Sequence, residues 1–118
     1  NIIIFGMTTQ QVNDLRYRGY HPIDCYNCDP RIRDAIDRMY RGINGCTFND
    51  VANSLKNSDP YMVLADFDSY RKAQLYVSEC YNDKLKWARM SLNNIAGAGI
   101  FSADRAVTEY ADNIWNLI

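Results

Sequence analysis

The chain has 118 residues, 47% of them apolar, with 14 acidic and 13 basic side chains and a formal charge of −1. That suits one modest core and excludes a complete large enzyme, a disordered segment and a nucleic-acid platform, which needs a net basic face. No apolar run approaches the ~20 residues of a membrane span, and four cysteines fall short of a disulfide scaffold, so a reducing cytosol and a cytoplasmic location are expected.

Asn1 is followed at once by Ile2-Ile3-Ile4-Phe5 and Gly6. Such a run reads as a strand buried on both faces, with residues 61–65 as an ambiguous second strand. A strand without neighbours favours an excerpt of something larger over a hairpin-like pair packed on helices. The rest reads as about six helices. Thr8-x-x-Gln11 is a capping box opening the first, which stops at Gly19. A short turn over 22–28 leads to Asp29-Pro30, an N-cap before proline. Ile32, Ala35, Ile36, Met39 and Tyr40 then keep helical spacing up to Gly42. Thr47 caps a helix with Phe48, Val51, Ala52 and Leu55 on its apolar face, and residues 57–60 break it. Asp66 opens a helix faced by Tyr70, Ala73, Val77, Cys80 and Tyr81. After a turn at Asn82-Asp83, Leu85, Ala88, Leu92, Ile95 and Ala96 form the next face, closed by Gly97 and Gly99. Ser102 caps the last helix. Its wide stripe (Ala106, Val107, Tyr110, Ala111, Ile114, Trp115, Ile118) predicts burial against two neighbours. Tyr70, Tyr81, Tyr110 and Trp115 read as core. Residues 1–118 form a single segment without repeat, linker or internal boundary.

The candidate chemistry is thin. Cys25-x-x-Cys28, with His21 upstream and Cys46 beyond, has half the ligand pattern of a structural zinc site, which shows two tight pairs. Reduced thiols at Cys25, Cys28, Cys46 and Cys80 are the expected state, with Cys80 on an apolar face. His21 precedes a proline, which biases it to an extended loop conformation, and Asp24 is its only nearby acid. Gly97-Ala98-Gly99 follows a helix, whereas a phosphate cradle precedes one, so it reads as a helix end. Lys56, Lys72, Lys84 and Lys86 lie off the apolar faces, unlike a desolvated Schiff-base lysine. Arg31, Arg33, Arg38 and Arg41 alternate with Asp34 and Asp37, the pattern of a salt-bridged helix face. No catalytic, cofactor-binding or metal-binding residue is assigned.

Five stretches resemble one family: Asn-Ile-Ile-Ile-Phe-Gly-Met (1–7), Arg-Gly-Tyr (18–20), Leu-Ala-Asp-Phe-Asp-Ser-Tyr (64–70), the run Asn-Ile-Ala-Gly-Ala-Gly-Ile-Phe-Ser-Ala-Asp-Arg (94–105) and Glu-Tyr-Ala-Asp-Asn-Ile-Trp (109–115). In order and spacing they are similar to the C-terminal end of the glycogen (α-glucan) phosphorylases. Ala103 stands where the family usually has serine, Cys25-Tyr26 where it has a tyrosine pair, and the connection from Gly42 to Phe48 is short. The resemblance implies a mainly helical excerpt of the C-terminal α/β, Rossmann-like lobe of a GT-B glycosyltransferase. It also implies a parent enzyme that transfers glucose from α-1,4-glucan ends to inorganic phosphate, giving glucose 1-phosphate with pyridoxal phosphate as cofactor. The family's cofactor lysine and phosphate-binding residues match no position here, so this segment reads as scaffold that binds no cofactor by itself. Its expected partner is the remainder of the phosphorylase chain, with no nucleic acid or membrane, and with self-association through the exposed strand when isolated. The alternative is a free-standing helical interaction module.

Overall fold

A computed structural model describes residues 1–117. Seven α-helices follow one another: α1 (Thr9–Arg18), α2 (Pro22–Cys28), α3 (Pro30–Arg41), α4 (Asn49–Asn57), α5 (Phe67–Asn82), α6 (Lys84–Gly97) and α7 (Ala103–Tyr110). A 3-10 turn (Ala98–Phe101) precedes α7 and a π-helical turn (Ala111–Trp115) follows it. The residues fall into two compact units, Ile4–Leu75 and the pair Asn1–Ile3 with Tyr76–Ile118, of which Ile118 lies outside the described residues.

In the unit Ile4–Leu75, local signals set the helix starts. The Thr8 hydroxyl accepts from Gln11 N while the Gln11 side chain accepts from Thr8 N, closing the capping box of α1. The Asp29 carboxylate accepts from Arg31 N ahead of Pro30 and starts α3. α2, α3 and α4 pack on one another. Ile32, Ile36, Ala52 and Leu64 are buried at their junction, with Cys25, Tyr26, Met39, Tyr40, Leu55 and Phe67 against them. Each buried isoleucine contributes about 1.5–3 kcal/mol by leaving water. Between α3 and α4, Asn44 and Gly45 both take positive φ (51° and 82°). That is the type I′ geometry of an Asn-Gly turn, and it pairs Ile43 with Cys46 through bonds of 2.8 and 3.0 Å. Gly42 is required there: at φ 89° a Cβ would stand 2.9 Å from the Cys46 carbonyl oxygen.

In the other unit, Asp83 caps α6 by accepting from Lys86 N, and Ser102 caps α7 by accepting from Arg105 N. Trp87 and Met90 form the half-buried side of α6 and, with Ser91 and Asn94, line a small hollow against Asn1 and Ile3. Asn94 Nδ2 donates to the Asn1 carbonyl at 3.4 Å.

Several sequence expectations are corrected. Residues 2–5 form no strand, because a strand needs a hydrogen-bonding partner and no sheet occurs among the described residues. Residues 61–65 are turns, with Met62 at φ 56°. Phe48, not Thr47, occupies the N-cap of α4 and makes no side-chain cap bond. Gly97 does not cap in a left-handed conformation; α6 tightens into the 3-10 turn instead. The Leu85, Leu92 and Ile95 face of α6 is exposed, and so are Tyr70, Tyr81, Tyr110 and Trp115, the last at 57%. These side chains alternate with polar ones at helical spacing, but among the described residues single ring contacts such as Phe5–Tyr70 and Tyr81–Trp87 leave them largely uncovered. Ile118, the last residue of the expected stripe, lies outside the described residues.

Candidate functional site

The one deeply buried charged residue among those described is Asp59, 1% exposed at the α4–α5 connection. Its carboxylate accepts from the Tyr20 hydroxyl at 2.7 Å, Val63 N at 2.9 Å and Leu64 N at 2.8 Å. Its own N–H donates to the Ser54 carbonyl at 2.8 Å. The left-handed backbone at Asp59 (φ 35°) turns the chain so that its carboxylate faces the amides four and five residues on, an arrangement aspartate tolerates. Burial first, then the hydrogen bond to Asp59, pushes the Tyr20 phenol far above its ordinary value, so it stays a donor. Cys25 Sγ lies 3.9 Å from the same hydroxyl. Burial chiefly raises its thiol, the Tyr20 bond opposes this, and the carboxylates of Asp59 and Asp24 add to it. A protonated thiol is a poor nucleophile. The Asp59 carboxylate, 1% exposed and already accepting three bonds, lies out of hydrogen-bond reach of a molecule at the surface in this conformation. The knot ties the residue that follows α1 and Gly19 to the α4–α5 connection.

Two clefts flank it. One, of about 470 Å³, is lined by Cys25, Cys28, Arg31, Leu64, Phe67 and Asp68 among others. Its guanidinium is spoken for: Arg31 bridges Asp29 at 2.6 Å and Asp68 at 3.3 Å. That hydrogen bond holds the Asp29 carboxyl at about 2. Asp68 also pairs with Lys72 at 2.8 Å and Arg71 at 3.4 Å. The other cleft, of about 390 Å³, is apolar, bounded by Phe5, Tyr61, Val63, Phe67 and Tyr70. Its single carboxylate, Asp66, accepts from Met7 N at 2.9 Å, and Ser69 Oγ accepts from Gly6 N at 2.9 Å. Asp66 therefore clasps the N-terminal segment at the start of α5.

The residues weighed from the sequence do not converge. His21 is exposed, extended (φ −120°), and caps α2 without a side-chain bond. Cys28 and Cys46 are exposed and Cys80 is buried; all four cysteines are free. No group of three or more His, Cys, Asp or Glu side chains among the described residues is placed to hold a metal. No helix among them is long and apolar enough to cross a membrane. Of the arginine-rich face of α3, Arg41 pairs with Asp34 at 3.4 Å, while Asp37 instead accepts from the Tyr26 hydroxyl at 2.9 Å.

The lysines are not simply solvated. Lys56 Nζ stands 4.1 Å from the Tyr26 ring centre, Lys84 3.6 Å from that of Tyr81 and Lys86 4.8 Å from that of Tyr76. Contact with Cys80 raises the Lys86 ammonium. A Schiff-base lysine must reach a desolvated pocket as a free amine. None of the four lines either cleft, so these residues do not fit a pyridoxal phosphate site.

Sequence reasoning missed Asp59, Tyr20 and the Asn44-Gly45 turn. The Asn-Gly pair was a readable signal. Asp59 and Tyr20 are 39 residues apart, and no local pattern joins them.

What fold and site define is a helical segment pinned by buried polar contacts at Asp59. The chain belongs to the carbohydrate phosphorylase family, whose model matches residues 1–117. It is 40% identical to the glycogen phosphorylase of Synechocystis sp. over 98% of its length. It is 37% and 36% identical to the muscle forms of Rattus norvegicus and Homo sapiens over 99%. The chain spans 14% of the length of each of these relatives.

Proposed function

We propose that this chain is the C-terminal scaffold of an α-glucan phosphorylase. The whole enzyme transfers glucose from α-1,4-glucan ends to inorganic phosphate and releases glucose 1-phosphate, in the cytoplasm, with pyridoxal phosphate held by residues outside these 118. The observation that carries the reading is identity of 36–40% along 98–99% of the chain to glycogen phosphorylases that are some seven times longer. The partner of these residues is then the remainder of the polypeptide, part of a two-lobed GT-B arrangement.

The exposed apolar faces support it. Val107, Tyr110, Ile114 and Trp115 are each more than half exposed, and a stripe of that size is ordinarily covered by other protein. The remainder of the polypeptide is the cover this reading supplies.

The test compares Trp115→Ala in two contexts. In the whole polypeptide it lowers stability by about 3–5 kcal/mol, the usual cost of truncating a buried Trp. In the 118-residue chain alone it changes the melting temperature little. A whole enzyme with an unchanged melting temperature contradicts burial of that face, and a polypeptide that makes no glucose 1-phosphate contradicts the assigned reaction.

A further inference from the structure

The Cys25-x-x-Cys28 pair is not absorbed by the scaffold reading, and its geometry has a use of its own. The two residues stand three apart in α2, so their side chains share one face, with Cβ atoms about 5–6 Å apart. Both line the same open cleft. A disulfide needs Cβ atoms about 3.5–4.5 Å apart, so closure requires a movement of about 1–2 Å. Cys28 can supply it. It is the last residue of α2, and Asp29 leaves the helix at once in an extended conformation (φ −108°, ψ 110°). Only a terminal turn has to tighten. The pair is also asymmetric: Cys28 is exposed, whereas Cys25 is half-buried beside Tyr20.

We propose that Cys25 and Cys28 form an oxidisable dithiol that closes to a disulfide at the end of α2 when the protein meets hydrogen peroxide. The Cys28 thiolate attacks a peroxide oxygen. An S–O bond forms, the O–O bond breaks, and hydroxide takes up the thiol proton and leaves as water. The Cys25 thiol, the slower partner because burial favours its protonated form, gives up its proton to the departing hydroxide as its sulfur attacks the sulfenic sulfur. The S–S bond forms, the S–O bond breaks, and a second water leaves. Two thiols lose two electrons and two protons, and the peroxide is reduced to two waters. The new bond draws Cys25 Sγ away from the Tyr20 hydroxyl, so the oxidation state of the pair is felt at the Asp59 knot.

One tryptic peptide, residues 19–31, contains both cysteines. The whole polypeptide carrying this chain is treated natively with dilute hydrogen peroxide, its remaining thiols are alkylated, and the digest is weighed. The expected peptide is two hydrogens lighter, carries no alkyl group, and regains two alkylatable thiols after dithiothreitol. In Cys25→Ser, Cys28 has no resolving partner and proceeds to the sulfinic acid. Two results overturn the proposal. In one, both cysteines stay alkylatable under doses that oxidise Cys46. In the other, Cys28 of the unaltered protein reaches the sulfinic acid, or links to Cys46, as readily as it does without Cys25.

Discussion

Replacing Asp59 tests how the α4–α5 connection is held. The carboxylate is 1% exposed and accepts from the Tyr20 hydroxyl, Val63 N and Leu64 N. Hydrogen bonds to a charged acceptor contribute about 1.5–3 kcal/mol each, and a buried donor left unpaired costs about 1–3 kcal/mol. Tyr20 is half-buried and regains part of its loss by turning to water; the Leu64 amide is buried and cannot. Asp59→Ala is therefore expected to cost about 3–5 kcal/mol locally. Asp59→Asn tolerates the same left-handed backbone and keeps one acceptor oxygen, so it should cost about half as much. Hydrogen exchange reads the site directly, since each 1.4 kcal/mol is about tenfold in an equilibrium constant. The amides of Val63 and Leu64 should exchange at least about 100-fold faster in Asp59→Ala and about 10-fold faster in Asp59→Asn. Unchanged protection of both amides in Asp59→Ala would refute the reasoning.

Other outcomes follow from the same structure. Ile36→Ala, at a side chain 1% exposed, should cost about 2–5 kcal/mol, measured by denaturant unfolding of the unit that contains it. Gly42→Ala should destabilise by at least about 1 kcal/mol, because φ 89° is retained only with strain and the new methyl meets the Cys46 carbonyl at 2.9 Å; a melting temperature equal to that of the parent would contradict this. Native thiol titration should modify Cys28 and Cys46 first, Cys25 slowly, and Cys80 only on unfolding, following their exposure. Asp29 is held at about 2 chiefly by its hydrogen bond from Arg31. Its folded value is depressed, so the contribution is present above the unfolded value near 3.9 and is lost as pH falls toward 2. In Arg31→Ala the Asp29 carboxyl, followed by NMR, should titrate back in the ordinary carboxylate range.

What could be read from the sequence was what neighbours in sequence decide. Thr8 with Gln11, Asp29 before Pro30, Asp83 and Ser102 all cap helices as their spacing indicates. Ile32 and Ile36 are buried as their periodicity requires. The failures share a cause. Apolar periodicity shows which face of α6 or α7 is oily, not whether anything in the same chain covers it. Leu92 and Trp115 are thus exposed, while Trp87 and Met90 turn inward against Asn1 and Ile3. Residues 61–65 look like a strand by composition, but Asp59 claims the amides of Val63 and Leu64 and bends them into turns. The Tyr20–Asp59 bond spans 39 positions and carries no local signature. His21 is exposed and Gly97-Ala98-Gly99 lies where α6 ends, as their sequence contexts indicate, whereas Lys56, Lys84 and Lys86 stand over the rings of Tyr26, Tyr81 and Tyr76, contacts that the polar helical spacing of these lysines does not announce.

The measurement that tests the scaffold reading most directly is borohydride reduction of the whole polypeptide loaded with pyridoxal phosphate, followed by mapping of the modified lysine. One stoichiometric adduct is expected, on a lysine outside these 118 residues, in a preparation that makes glucose 1-phosphate from glucan and phosphate. A stoichiometric adduct on Lys56, Lys72, Lys84 or Lys86 would contradict the scaffold reading and place the reacting centre in this segment.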